Sequence, residues 1–220
     1  MSTPRILLSL ILALAASAIA VPIAHAASDI FPPNANPSGY SLERMAAEHA
    51  LFTSSGNDPA FYPQTPFQVL FASSIDAEPD GDGLVVTGAN TFDVPKGTRM
   101  YLPILHVNDS PPVIGTFPSA PGSVATDYFF SPSQVGAEPA VITIDGKATT
   151  IGAPFLAGPV ATPILFDGGN HIMTLAAFVK PLKRGTHTIH ASGSVSGDAF
   201  SQAFGLSLLR FEFSYTITID

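Results

Sequence analysis

Three histidines and one aspartate are the side chains of this sequence best suited to chemistry. His106 and Asp109 lie three residues apart, His171 follows the turn-forming run Gly168-Gly169-Asn170, and His190 sits in a stretch rich in Thr and His. Imidazole and carboxylate groups exchange protons near neutral pH and can hold a divalent metal. Gathered at one end of a fold, these four would make a His/Asp site for a hydrolase or a lyase, although nothing in their spacing demands that they meet. His187 and His190 are three apart, so a helix would bring them together. A strand would place them on opposite faces, His187 with Ile189 and Ala191 and His190 with Thr186 and Thr188.

A second set is acidic. Asp76, Glu78, Asp80 and Asp82 alternate, with Gly81 and Gly83 between and after them. Alternating carboxylates followed by glycine match the start of a calcium loop. The bidentate Glu that closes such a loop is missing, since the twelfth position is Thr87 or Ala89 depending on the start. The run therefore reads first as a solvated hairpin loop. No cofactor is predicted from the sequence; the secondary reading is calcium on these four carboxylates.

Other chemistries are excluded. There is no Cys, which removes a thiolate metal site, a disulfide framework and a Cys nucleophile. Gly193-Ser194-Val195-Ser196-Gly197 has the outline of a nucleophile elbow, but Val195 stands where the Ser belongs. The 220 residues carry a net charge of -8, which argues against a nucleic-acid partner. No Trp is present, so the strongest sugar-stacking ring is missing. With 46% apolar residues the chain can build a core.

The elements that would position these residues are mostly strands. Ser41 has the form of an N-cap, and Leu42, Met45, Ala46, His49 and Phe52 follow at helical spacing. From Phe67 the period becomes two. Arg99 to Val107 is apolar on both faces and contains Pro103, which predicts a bulge or a break. Asp145-Gly146 between two short apolar runs predicts a type I′ hairpin. Residues 109–126 are Pro-rich without a period and read as a long surface loop, and 154–163 as a Gly/Pro-rich connector. His171 to Val179 is a strand with blurred alternation. Phe211, Phe213, Tyr215, Ile217 and Ile219 alternate with polar residues in the clearest strand of the chain. The expected fold is all-β, an antiparallel β-sandwich of jelly-roll or immunoglobulin-like type, with one short N-terminal helix.

The first 26 residues read as a secretory signal peptide. Arg5 precedes an apolar run from Ile6 to Ala20, and Ala24-His25-Ala26 gives a small-x-small cleavage pattern. Residues 27–40 read as a mobile lead-in and 41–220 as a single domain. No later stretch is long and apolar enough for a membrane span, so the expected location is secreted or periplasmic.

Two segments resemble a group of uncharacterised secreted β-rich bacterial proteins. Val94-Pro95-Lys96-Gly97-Thr98-Arg99-Met100-Tyr101-Leu102-Pro103-Ile104-Leu105 is similar to their VPxGkxxxxPIL strand, and Pro181-Leu182-Lys183-Arg184-Gly185-Thr186-His187-Thr188-Ile189-His190 to their PLxxGxHTIH strand. The resemblance implies an exported β-sandwich with a helix before its first strands and carries over no catalytic residue. The reading that follows is a binding or surface-interaction module using loops at one end of a sandwich, its partner an extracellular ligand. The alternatives are an extracellular hydrolase or lyase built on His106, Asp109, His171 and His190, and a structural envelope component.

Overall fold

A computed structural model describes residues 28–220. The signal peptide expected over 1–26 lies outside the described residues. The clean alternation near the C-terminus becomes β10 (Leu209–Ile219), an inner strand of a six-stranded sheet. Phe211, Tyr215, Ile217 and Ile219 are buried, as a strand with one face on the core requires. β10 pairs antiparallel with β9 (Gly185–Val195) on one side and parallel with β3 (Gly83–Val94) on the other. β2 (Ser74–Asp80) forms the edge beside β3. The hairpin of β5 (Ala140–Ile144) and β6 (Lys147–Ile151) completes the other edge beside β9. Its turn has Asp145 at φ 48° and Gly146 at φ 81°, the two left-handed residues a type I′ turn needs.

The second sheet has four strands in the order β1 (Phe67–Val69), β4 (Arg99–Asn108), β8 (His171–Val179) and β7 (Leu156–Ala161). β1 runs parallel to β4, and the other pairs are antiparallel. Both sheets are thus mixed, which corrects the antiparallel expectation. A period of two is the same for either direction, so alternation fixes the buried face and not the neighbour's sense.

One buried cluster takes Met100, Leu102 and Leu175 from the four-stranded sheet and Ile142, Ile189 and Ile217 from the six-stranded one. A second cluster packs Tyr101, Ala176 and Phe178 against α1 (Leu42–Ser54). In α1 the Ser41 hydroxyl accepts the Arg44 N–H, and Leu42, Met45, Ala46, His49 and Phe52 are all buried. Seven of the nine β8 positions, all from Ile172 to Val179 except Thr174, belong to one cluster or the other, and burial on both sides is what blurs the alternation there.

Several expectations are corrected. The acidic run is not a loop: Asp76, Glu78 and Asp80 lie on the exposed edge strand β2, and only Gly81-Asp82 form the turn. Segment 154–163 contains β7, with a register break across Gly158-Pro159. The Pro-rich loop ends in α2 (Ser123–Phe130), and α3 (Asp198–Phe204) follows β9, so there are three α-helices among the described residues. The lead-in is docked: Ile30 is buried and bridges Val179, the Phe31 N–H donates to the Phe178 carbonyl, and the Lys180 N–H donates to that of Asp29. No described helix is long and apolar enough to cross a membrane.

Candidate functional site

The irregularity at Pro103 builds the site. β4 pairs Tyr101 with Phe178 and Pro103 with Ala176, then slips so that His106 faces Thr174 and Asn108 faces Ile172. The extra residue changes the phase of the strand. His106 and Asn108 therefore share the sheet face of Tyr101 and Pro103. β1 is only three residues long and pairs with Arg99 to Tyr101, which leaves β4 beyond Pro103 as a free edge. Pro103 is suited to that position because it has no N–H to leave unpaired. The Asp109 N–H donates to the His171 carbonyl, setting the phase of the ladder, so the N–H and C=O of His106 and Asn108 point toward the free edge.

An apolar cleft runs along this edge, between it and the β3–β10 side of the other sheet. Its larger part, of about 480 Å³, is walled by Leu84, Val107, Ile114, Phe200 and Phe204. A smaller part, of about 230 Å³, continues toward Thr53 and Asn57 at the end of α1. Val86, Leu105, His106 and Leu209 line both parts and form the waist between them. Cavities of several hundred cubic ångströms with few polar groups are the usual form of a small-molecule site.

The polar groups collect at one end. Asp167 accepts from the Asn108 side-chain amide at 2.9 Å and from the Ser110 hydroxyl at 2.5 Å. Burial pushes the Asp167 carboxyl up, but these hydrogen bonds outweigh it and hold the group below the usual carboxylate range. The Ser110 oxygen also accepts the Gly169 N–H at 2.8 Å. Its donor and an acceptor are both engaged, and it is buried, so it is a structural hydroxyl. Gly169 is required by closeness: a Cβ there would lie 2.5 Å from both Asp109 Oδ1 and Ser110 Oγ. His106 keeps an exposed face while the rest of its ring is crowded by protein atoms. The accessible area decides its place, which is the cleft wall and not the core. That crowding disfavours the imidazolium and lowers its pKa, against the pull of Asp167.

The structure brings two of the four anticipated residues together. His171 Nδ1 lies 2.9 Å from Asp109 Oδ2, and Asp109 Oδ1 accepts the N–H groups of Asn170 and His171. This ties the 162–170 loop to the end of β4. His106 stands apart in the cleft wall, and His190 is exposed on the outer face of the six-stranded sheet, beside Ser214. No three His, Asp or Glu side chains of the described residues converge as metal ligands, the set Asp76, Glu78, Asp80 and Asp82 included. Asp80 instead pairs with Arg210. The groups missing from the sequence reading are Asn108, Ser110 and Asp167. Asn108 and Ser110 flank Asp109 in the sequence, but nothing local marks their amide and hydroxyl as partners of Asp167.

His187 does sit with Ile189 and Ala191, at the far end of β9. Its Nδ1 is 2.6 Å from Asp145 Oδ2 and its Nε2 is 2.8 Å from the Lys183 carbonyl. Both ring nitrogens face acceptors, so the cation satisfies both. Burial lowers the His187 pKa, but the Asp145 hydrogen bond and the Lys183 carbonyl outweigh this and raise it. A raised histidine pKa contributes stability below its unfolded value that is lost as pH rises through the folded one. Asp145 is held low, so its contribution appears above the ordinary carboxyl pKa. The pair therefore stabilises most between the two unfolded values. Raising the pH from about 6 to about 9 should lower the melting temperature by about 2 °C, the scale of one partly exposed ion pair. His187→Asn should flatten that slope in a pH series of thermal melts.

Neither a family model nor a curated protein matches this chain. A solved structure titled "Structure of PbICP-C in complex with falcipain-2" aligns over 70% of this chain and 99% of that one, at 15% identity and a TM-score of 0.29. A likeness of that size supports no statement about this chain.

Proposed function

We propose that the chain is an exported β-sandwich that binds a small molecule with an apolar body in the cleft along the free edge of β4. The sandwich reading is supported by two sheets sharing one buried cluster. The export reading is supported by the leader-like first 26 residues and by the two strand segments similar to secreted proteins. The observation that carries the function is the cleft itself, a continuous apolar surface with hydrogen-bonding groups gathered at one end. Loops at one end of the fold supply that polar end, as the binding-module reading requires.

The test is a fluorescence titration with the neutral apolar reporter N-phenyl-1-naphthylamine. Val86→Trp and Leu209→Trp fill the waist and should weaken binding by about tenfold or more, equivalent to about 1.4 kcal/mol. Ile164→Trp, on an exposed loop tip outside the cleft, should leave it unchanged. The reading fails if the folded protein gives no saturable signal, or if the two waist variants, still melting cooperatively, bind the reporter as tightly as the parent.

A further inference from the structure

Charge is distributed unevenly along the strands. β4 begins and β8 ends at one end of the fold, where Met100 pairs with Val179. That end carries Lys96, Arg99, Lys147, Lys180, Lys183 and Arg184 beside Asp29, Asp93, Asp145 and Asp220, and Lys147 pairs there with Asp29 of the lead-in. The opposite end holds the cleft mouth. The strand junctions of that end carry Asp82, Asp109 and Asp198, Asp167 lines the cleft itself, and the cation Arg210 is taken up by Asp80.

No Lys or Arg lines either part of the cleft, and its one formal charge is the Asp167 carboxylate. The other polar features along the edge are the main-chain N–H and C=O groups of His106 and Asn108, donors and acceptors in equal number that carry no net charge. Packing around His106 disfavours its charged form. A carboxylate or phosphate entering here would meet like charge and find no cationic partner. A protonated amine would find Asp167 at the mouth while its apolar part lay against Val86, Leu105 and Leu209.

Resting on the cleft reading above, we infer that the ligand is an apolar amine whose ammonium group sits at the Asp167 end. Charge complementarity at the mouth selects the sign of a ligand's head even where burial of its tail supplies most of the affinity.

The experiment displaces the neutral reporter with three competitors of equal chain length, decylammonium, decanol and decanoate, each below its micellar concentration. Decylammonium should compete at least about tenfold better than decanoate, with decanol between them, a difference of about 1.4 kcal/mol. The preference should shrink as salt is raised from about 0.01 M to about 1 M, which cuts the screening length from about 30 Å to about 3 Å. Asp167→Asn should remove most of the preference while decanol competes as before. The salt series on the parent protein gives the same answer should that variant fold poorly. Decanoate competing as well as decylammonium, with the reporter bound normally, overturns the amine inference and leaves the cleft reading standing. A reporter that does not bind overturns the cleft reading and this inference with it.

Discussion

Gly197→Ala should be among the most damaging single substitutions in the fold, lowering stability by about 4 kcal/mol or more. The segment 131–137 crosses the junction of β9 and α3 at van der Waals distance, backbone against backbone. A Cβ on Gly197 would lie 2.0 Å from the Gln134 carbonyl oxygen and 2.5 Å from the Val135 carbonyl carbon. Neither atom belongs to a flexible side chain that could turn away. The crossing is also stitched: the N–H groups of Gly197, Asp198 and Phe200 donate to the carbonyls of Val135, Pro132 and Gln134. Any shift that makes room for the methyl group breaks these bonds and moves Phe200 and Phe204, which wall the cleft. At roughly 2–4 °C per kcal/mol for a domain of this size, the melting temperature should fall by about 12 °C. Reporter binding should weaken together with it. Gly152→Ala is the control, because its Cβ would meet nothing closer than 3.8 Å and its φ is extended. Equal melting temperatures for Gly197→Ala and the parent would show that the crossing is not as tight as described.

Acid should destabilise the protein through His49. This side chain lies on the buried face of α1, 1% exposed, with its ring edge-on to Tyr101 at 5.4 Å. Nδ1 is 3.2 Å from the carbonyls of Met45 and Ala46 and donates to them, while Nε2 has no protein partner. Burial, aided by repulsion from His106, lowers its pKa from 6.5 to about 4. A base whose folded pKa is depressed is neutral in the native state and protonated in the unfolded one between those two values, so stability falls as pH drops from 6.5 toward 4. The full loss is about 3 kcal/mol at 1.36 kcal/mol per pKa unit. That is about 10 °C in melting temperature. His49→Phe should remove this term. The carboxylates held low by hydrogen bonds, Asp109, Asp145 and Asp167, lose their contributions only at more acid pH. The difference between parent and variant melts over pH 7 to 4.5 therefore isolates His49, and parallel curves would rule the mechanism out.

The parts of the fold legible in the sequence are those where one residue's chemistry decides its own conformation. Ser41 capped its helix, Asp145-Gly146 made its turn, and Pro103 made its bulge because each acts through its own backbone or side chain. β10 was legible because one of its faces meets water. β8 was blurred because neither face does. β2 was misread because Asp, Glu and Pro are poor strand formers, and it stands as a strand at a sheet edge where such residues block further pairing. The cleft left no local trace. Its walls come from Val86, Leu105, Asp167, Phe200 and Leu209, which have nothing in common before the chain folds. Gly193 to Gly197 shows the same limit: the spacing suggested an elbow, whereas Gly197 is there to let a distant segment pass.

The placement of β10 also governs how a nascent polypeptide can mature. It lies between β9, the strand that directly precedes it, and β3, made from a much earlier part of the chain, and supplies an inner ladder to both. Until Leu209–Ile219 has emerged, those two strands offer long unsatisfied rows of amides and carbonyls that any other extended chain could zip onto. Closing the β3–β10 ladder thus waits until this strand has emerged, and a contact so remote along the chain closes slowly. A holdase that masks β3 and β9 until then would raise the yield of soluble product, and a ribosome stalled before codon 209 would release an aggregating fragment in place of a partly working protein.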